Sequence, residues 1–153
     1  MKLTTKTRYG MRAAVDLARR YKEGPISVSS ISERENISIS YLEQLLNKLK
    51  KNGIVNSLRG PHGGYMLARP PADIKVYDIV RTLEGDLNLV FCLADKRTKN
   101  CNKIDECATK PLWQKLNASI ESVLKSATLA NLCGKPPDRK KEKKLNHRFT
   151  YSI

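Results

Sequence analysis

A leucine repeat with helical spacing, followed directly by a glycine-rich segment, is the feature that most constrains the fold of this sequence. The apolar positions of the repeat share one helix face and are Leu42, Leu45, Leu46 and Leu49. Ser38 is a suitable N-cap, and Asn52-Gly53 supplies a C-terminal stop. Residues 54–58 and 65–68 then have the character of strands, with a glycine-rich turn at 59–64 between them. The pattern predicts a helix followed by a β-hairpin.

Two further helices are predicted upstream of this repeat. Apolar residues at helical spacing indicate a helix over about 7–21 and a shorter one over 28–35, with a turn at Asn36. The order of two helices, a turn, a third helix and a hairpin is that of a winged helix-turn-helix, in which the hairpin tip is the wing. We therefore expect a mainly α fold with a small β-hairpin wing, and we assign residues 1–70 to a winged helix-turn-helix domain.

The remainder of the chain divides into three segments. Pro70-Pro71 separates the first domain from residues 71–109, which contain a linking helix near 76–83 and a loop with three cysteines. Residues 110–133 form a predicted long helix that opens at Pro111. Residues 134–153 are basic and contain Pro136-Pro137, which favours disorder.

Apolar residues on the long helix recur at heptad spacing. They are Trp113, Leu116, Ile120, Val123 and Ala127. Such a stripe can pack on its own domain, but a compact 70-residue module leaves little core for it to meet, so self-pairing into a homodimer is favoured. The run Ser126-Ala127-Thr128 is equally consistent with a second helix cap, which would break the helix at Thr128.

The charge of the chain is uneven. The net charge is +14, and the first 70 residues carry 13 Lys/Arg against 5 Asp/Glu, whereas residues 71–133 carry 9 against 8. A basic front half favours a nucleic-acid partner. Because aromatic residues make up only 6% and are scattered, duplex DNA is favoured over single-stranded RNA. No nucleotide-binding, redox-pair or hydrolytic metal motif indicates an enzyme.

The sequence also predicts the compartment. No apolar run approaches the length of a membrane span, and residues 1–5 lack the apolar core of a signal peptide. We therefore expect a cytoplasmic protein with no membrane partner. In a reducing compartment, four cysteines indicate metal or redox chemistry before disulfides.

The polar face of the third helix is the predicted DNA-reading surface. Ser40, Gln44 and Lys48 form a row, in which Gln44 can pair with an adenine edge and Lys48 can neutralise phosphate. Glu43 either accepts from a cytosine amino group or penalises wrong sequences. Arg59 on the wing suits a minor groove. The predicted DNA contacts are Lys6, Arg8, Ser38, Ser40, Tyr41, Glu43, Gln44, Lys48, Arg59, Gly60, His62 and Gly63.

Three segments of the chain carry a family resemblance. The runs 31–45, 51–55 and 59–65 resemble the IscR family of iron–sulfur cluster regulators, and the similarity extends through nearly all of residues 1–133. The resemblance implies a homodimeric bacterial transcription factor that binds double-stranded DNA and controls iron–sulfur cluster biogenesis genes. It also implies a [2Fe-2S] cluster held by Cys92, Cys101 and Cys107. A dimer has two identical winged helix-turn-helix domains (residues 1–70), here called reading heads, and they predict an inverted-repeat operator.

The cysteine spacing is compatible with this cofactor. Zinc sites commonly contain a close C-x2–4-C pair, which Cys92, Cys101 and Cys107 lack, and broad spacing suits a two-iron core better. A regulator that senses oxidants through these thiols without a cluster is the alternative. Cys133, far along the chain, is interpreted as a packed or surface thiol.

The sequence departs from the family at the fourth ligand. Lys110 stands where family members have a histidine, and Arg8 stands where some relatives have a ligating carboxylate. The first cysteine interval is also longer than is usual in IscR. The open candidates for the fourth ligand are Asp105, Glu106, Glu43, a water, a thiol or another residue of the chain.

Overall fold

The structure, a computed structural model, describes residues 3–93, 101 and 106–134. Within them the chain is mostly helical, with one two-stranded sheet, which confirms the predicted fold class. The elements are α1 (Thr5–Arg19), α2 (Val28–Glu35), α3 (Ile39–Lys51), β1 (Val55–Leu58), β2 (Gly64–Leu67), α4 (Val76–Glu84), α5 (Lys110–Ser126) and α6 (Leu129–Leu132). Single 3-10 turns lie at Pro71–Asp73 and Phe91–Leu93. The predicted disordered tail lies outside the described residues, apart from Gly134.

The leucine face of α3 forms the centre of the main core. Leu42, Leu46 and Leu49 are fully buried and Leu45 is 2% exposed, as the repeat predicts. They pack with Ile31 of α2 and with the small residues of α1. Burying one face of three helices leaves the opposite face of α3 in solvent.

The first helix begins and ends two residues earlier than the sequence predicts. Thr4 is its N-cap, and the Thr4 hydroxyl accepts a hydrogen bond from the Lys6 N–H at 3.2 Å, so the helix starts at Thr5. Between α2 and α3, Asn36 adopts the left-handed conformation with φ 50°, which ends α2 and makes the predicted turn.

The wing is an antiparallel hairpin in which Val55 pairs with Leu67 and Leu58 pairs with Gly64. Backbone hydrogen bonds of 2.8 Å in both directions join Tyr65 to Ile26, so the second strand is tied to the segment before α2. A Cβ at Gly64 would lie 2.2 Å from the Ile26 carbonyl oxygen. Glycine at this position is therefore required by the close approach of two backbones.

The fourth helix is buried on two sides. Ile79 and Leu83 contribute to the main core, whereas Val76 and Val80 form a second cluster with Leu87 of the following segment. Leu124 and Ala127 pack against this second cluster, which places the C-terminal end of α5 on α4. None of the helices in the described ranges has the length and apolar character that crossing a bilayer requires.

The long C-terminal helix is interrupted. It ends at Ser126, and Ala127 is extended, with its carbonyl accepting a hydrogen bond from the Val76 N–H at 2.9 Å. Thr128 and Asn131 then form a capping box that starts α6, which confirms the second cap. A continuous helix to residue 133 is therefore wrong, and so is the placement of Ala127 on a helical seam, because Ala127 packs within the chain.

Candidate nucleic-acid interface and cysteine segment

The solvent face of α3 presents the predicted polar row. Ser40, Gln44 and Lys48 are all exposed on the side opposite the leucines. Their spacing of four residues aligns them along the helix. Two long side chains and a hydroxyl thus lie in one stripe that a duplex groove can accept.

The start of α3 has backbone donors without a side-chain cap. Ser38 occupies the N-cap position with extended backbone angles, but its hydroxyl makes no capping hydrogen bond. Ser38, Ile39 and Ser40 are exposed, so this end of the helix is accessible from solvent. Donors at the start of a helix suit a phosphate oxygen.

Tyr41, another predicted DNA contact, is less accessible than the exposed polar row. Its half-buried ring packs edge-on against Tyr9, with ring centroids 6.1 Å apart.

Glu43 lies between the reading row and the wing. The side chain is exposed, and its charge reaches Tyr65 on β2, whose pKa is raised by burial and then by the Glu43 carboxylate. Lys50, at the other end of the helix, donates a hydrogen bond of 2.5 Å to Ser57 on β1. Lys50 therefore joins α3 to the wing, a contact that the sequence analysis missed.

The wing tip is a tight turn with exposed polar side chains. Arg59, Gly60 and His62 are exposed, and the Gly63 N–H closes the turn on the Gly60 carbonyl at 2.9 Å. Gly60 has φ 116°, which favours glycine, and a Cβ at Gly63 would lie 2.3 Å from the Leu58 carbonyl oxygen. The turn is narrow because these positions carry no side chains.

The first helix contributes two exposed cations to the predicted surface. Lys6 and Arg8 are exposed near its N-terminus, with the Arg8 guanidinium 5.9 Å from the centre of the Tyr9 ring. Arg12, one turn further, forms an ion pair of 2.8 Å with Glu35 on α2. Arg12 thus links α1 to α2.

The cysteine segment approaches α5 through Cys107. Its sulfur lies 3.3 Å from the Thr109 hydroxyl, which itself accepts a hydrogen bond from the Trp113 indole N–H at 3.2 Å. Since indole can only donate, the Thr109 proton is free to point to sulfur. The Thr109 hydroxyl and backbone N–H, with Lys110, lower the pKa of the half-buried Cys107 thiol despite the opposing effect of desolvation. A thiolate is the form that ligates metal.

The other cysteines have different surroundings. Cys92 sits in the 3-10 turn Phe91–Leu93, and Cys92 and Cys101 are half-buried free thiols. Cys133 packs against the main core, and burial raises the pKa of its thiol. Among the described residues, no three His, Cys, Asp or Glu side chains lie close enough to hold a metal ion. The donor chemistry of the three loop cysteines fits an iron–sulfur cluster, but the described structure does not assemble them.

The candidate fourth ligands are also separated. Glu106 is exposed beside Cys107, Glu43 lies on α3, and Asp105 lies outside the described residues. Lys110 is the first residue of α5 and acts on Cys107 as a cation. The described structure therefore singles out no fourth ligand.

The outer side of α5 exposes large apolar side chains. Leu112, Leu116 and Val123 are 51%, 41% and 68% exposed, and they fall within one narrow sector of the helix. Trp113 and Ile120 are half-buried. This apolar stripe of Leu112, Leu116 and Val123 includes Leu112, which the heptad spacing did not identify, and excludes Ala127.

Comparison with known proteins gives consistent results. A family model named Rrf2, described as an iron-dependent transcriptional regulator, matches residues 3–135. The HTH-type transcriptional regulator IscR of Serratia proteamaculans is 40% identical over 132 residues, covering 86% of this chain and 79% of that protein. These matches confirm the resemblance carried by the recognition helix and wing.

Two solved structures are similar in fold and sequence. T. potens IscR superposes with a TM-score of 0.68 at 47% identity, covering 86% of this chain and 85% of that one. CymR, the global cysteine regulator of B. subtilis, superposes with a TM-score of 0.73 at 38% identity, covering 87% of this chain and 96% of that one. The two neighbours share the winged-helix architecture described above.

Proposed function

This chain belongs to the Rrf2 family of transcriptional regulators, and from that membership we propose that it is an IscR-like homodimer whose DNA binding responds to a [2Fe-2S] cluster. DNA binding itself follows from the family. The proposal adds the residues that read DNA, the surface that forms the dimer, and the cysteines that hold the cluster.

The exposed row on α3 carries the proposed DNA contact. Gln44 reads a base edge, while Ser40 and Lys48 hold the helix against the backbone. Arg59 on the wing tip enters the adjacent minor groove, and Lys6 and Arg8 contact phosphates from α1. The observation supporting this set is that the leucines bury one face of α3 and leave the polar row in solvent.

The apolar stripe of α5 is the proposed dimer contact. Three large apolar residues, Leu112, Leu116 and Val123, are more than 40% exposed on a helix that packs only one side against α4. A second copy of the same helix would remove this surface from water. Two symmetry-related reading heads would then bind an inverted repeat with half-site centres one or more helical turns apart.

Cys92, Cys101 and Cys107 are the proposed cluster ligands. The lowered pKa of Cys107 favours the thiolate that iron binds, and its position directly before α5 connects the ligand set to the proposed dimer helix. A bound [2Fe-2S] cluster would supply one-electron redox chemistry and a reversible link between these three points of the chain. Cluster binding can change which DNA sites are preferred only if it favours one arrangement of the two DNA-binding domains.

The test combines a spectrum with DNA selection. Protein purified without oxygen should be coloured, with iron and sulfide in equal amounts, and should select an inverted-repeat duplex from a random library. Removing the cluster with a chelator should change the affinity for some selected duplexes. Colourless protein without iron would contradict the proposal that the protein binds a cluster. Failure to select any duplex would contradict the proposed DNA-binding surface.

A cluster-free thiol sensor is the second candidate. It is favoured by the structural similarity to CymR, a cysteine regulator, together with a Cys107 thiol that is half-buried and has a lowered pKa. In this case the protein is colourless as purified, and alkylating its thiols changes DNA affinity. Iron and sulfide analysis separates the two candidates directly.

A further inference from the structure

Glu84, the last residue of α4, accepts three hydrogen bonds from residues at the start of α1. Its Oε1 accepts hydrogen bonds from the Thr4 N–H at 2.8 Å, the Thr4 hydroxyl at 2.7 Å and the Thr7 hydroxyl at 2.6 Å. Thr4 and Glu84 are 80 residues apart in sequence. One carboxylate oxygen thus joins the end of the linking helix to the start of the first helix.

The contact determines how α1 is capped. The Thr4 hydroxyl donates to Glu84 and accepts from the Lys6 N–H, so Glu84 orients the oxygen that caps the helix. No acidic residue of α1 lies in its own first turn. Glu84 supplies the negative charge that a helix N-terminus favours, and it does so from another part of the chain.

The charge of Glu84 is stabilised in this position. Burial opposes ionisation, but hydrogen bonds from Thr7 and Thr4 and the nearby charge of Lys6 outweigh it, so the pKa of Glu84 lies below its ordinary value. Thr7 is only 5% exposed, which means that its hydroxyl has been withdrawn from water to make this bond. Such a buried hydroxyl requires its partner.

The two helices also touch at the next turn. A Cβ on Gly10 of α1 would lie 2.3 Å from Cδ1 of Leu83. At its other end α4 is held to the α5–α6 junction, where the Leu129 N–H donates to the Ile74 carbonyl at 2.9 Å. Because α4 makes contacts at both ends, it holds Glu84 beside the first turn of α1.

We infer that Glu84 is a positioning residue for DNA binding: it holds the first turn of α1 so that Lys6 and Arg8 face the DNA backbone. The inference rests on the proposed function, which assigns these two cations to phosphate contacts. It also means that the reading head extends beyond residues 1–70, because a residue of the linking segment completes it.

The direction in which DNA affinity changes on replacing Glu84 distinguishes a positioning role from a long-range electrostatic effect. Replacing Glu84 by Gln removes a negative charge, and a long-range electrostatic effect alone would therefore strengthen binding to DNA. Loss of positioning predicts the opposite. Phosphate contacts that are no longer held in place weaken binding and reduce its salt dependence.

The experiment uses the full chain and a duplex selected by the wild-type protein. Affinity is measured by fluorescence anisotropy between about 50 and 200 mM salt, for wild type, Glu84→Gln and Thr7→Val. Thr7→Ser keeps the hydroxyl and is the matched control. Glu33→Gln removes the same charge from an exposed site on α2. Circular dichroism verifies that each variant is folded, and Thr7→Val decides the result if Glu84→Gln is not.

We expect Glu84→Gln and Thr7→Val to weaken binding by roughly 10-fold and to reduce the salt slope by about one phosphate contact per protomer or more. Arg8→Ala should weaken the wild type but change the Glu84→Gln variant by less than about 2-fold, because coupled contacts are not additive. Thr7→Ser should behave as wild type, and Glu33→Gln should not weaken binding.

Two results would overturn the inference. One is unchanged or tighter binding by Glu84→Gln and Thr7→Val with an unchanged salt slope, and the other is an Arg8→Ala effect of equal size in both backgrounds. A wild-type protein that selects no duplex contradicts the proposed function instead, which keeps the two failures distinct.

Discussion

The carboxylate of Asp16 accepts two hydrogen bonds from the guanidinium of Arg34, at 2.9 Å and 2.7 Å, across the contact between α1 and α2. Asp16 is 3% exposed, and Arg20 adds a third bond to its Oδ1 at 2.7 Å. The angle between the first two helices of the reading head is therefore fixed by a charge cluster as well as by apolar packing. Removing the buried Asp16 carboxylate would leave these two guanidinium groups without their counter-charge.

Asp16→Asn should destabilise the protein by about 2 kcal/mol, because the half-buried Arg34 and Arg20 side chains lose a buried counter-charge. Urea unfolding at one fixed protein concentration measures the change. Glu23→Gln is the control, since Glu23 lies 3.9 Å from Arg20 and its side chain is 62% exposed. That control should change stability by less than about 0.5 kcal/mol, and an equal effect in the two variants would contradict the role of burial.

Glu84→Gln should lower the free energy of unfolding by about 1–2 kcal/mol at neutral pH, through the loss of charge-assisted hydrogen bonds. The folded-state pKa of Glu84 lies below its ordinary value, so its contribution is complete above about pH 4.3, the ordinary pKa of glutamate, and is lost as the pH falls through the folded-state value. Urea unfolding at neutral and acidic pH should show the difference between wild type and variant shrinking in acid. A difference that grew with acidity would contradict this sign.

Gln44→Ala and Lys48→Ala should affect DNA binding in different ways. Loss of a bidentate base contact costs about 1–3 kcal/mol and relaxes specificity at one base pair per half-site. Loss of a phosphate contact should weaken all sequences alike and flatten the salt dependence. Affinity measured over a panel of single-base operator variants distinguishes the two, and the same specificity profile for both variants would show that the roles are wrongly assigned.

Val123→Asp should convert the protein from dimer to monomer, because it places a charge on the apolar stripe of α5. Ala118→Asp introduces the same residue at an exposed position on the opposite side of α5 and should leave the dimer intact. Sedimentation velocity reports the oligomeric state of each. If Val123→Asp remains dimeric, the contact lies on another surface.

Cys92→Ala, Cys101→Ala and Cys107→Ala should each abolish the cluster absorption and leave a folded protein. Cys133→Ala is the matched control and should keep the cluster, because this thiol packs against the main core. Visible absorption with iron and sulfide analysis under anaerobic conditions gives the result. Retention of a full iron content by any of the three loop variants would remove that cysteine from the ligand set.

The cluster-free variants should retain affinity for some operators and lose it for others. The Glu43 carboxylate is close enough to Tyr65 of β2 to raise the pKa of that residue. From this position, a small shift of α3 would decide whether the carboxylate contacts a DNA base or a phosphate. Glu43→Ala should therefore restore part of the lost binding, as measured on the same operator panel. Equal affinities of the cluster-bound and cluster-free protein for every operator would contradict this switch.

The leucine repeat of α3 and the glycine-rich wing could be interpreted without any structure. Their information is local, because side chains three and four residues apart must share a helix face, and a glycine turn must accommodate backbones that approach closely. The exposed row of Ser40, Gln44 and Lys48 follows by exclusion, since Leu42, Leu45, Leu46 and Leu49 occupy the other face.

Heptad spacing was a less reliable guide on α5. It assigns Ala127 to the outer seam and omits Leu112, because spacing alone does not say where a helix ends or which side packs on its own domain. The hydrogen bond between the Val76 N–H and the Ala127 carbonyl ends the helix at this point, and α4 covers the side that contains Leu124.

The sequence alone therefore determined the winged-helix fold, the buried face of α3 and the resemblance to the IscR family, since these depend on residues close together in the chain. Only the tertiary structure revealed that Glu84 accepts hydrogen bonds from Thr4, the N-cap of α1, that Asp16 joins α1 to Arg34, and that Lys50 bonds to Ser57 of the wing. Each of these contacts pairs polar groups that the local sequence leaves without partners. The partners become identifiable only when folding brings separate elements of the chain together.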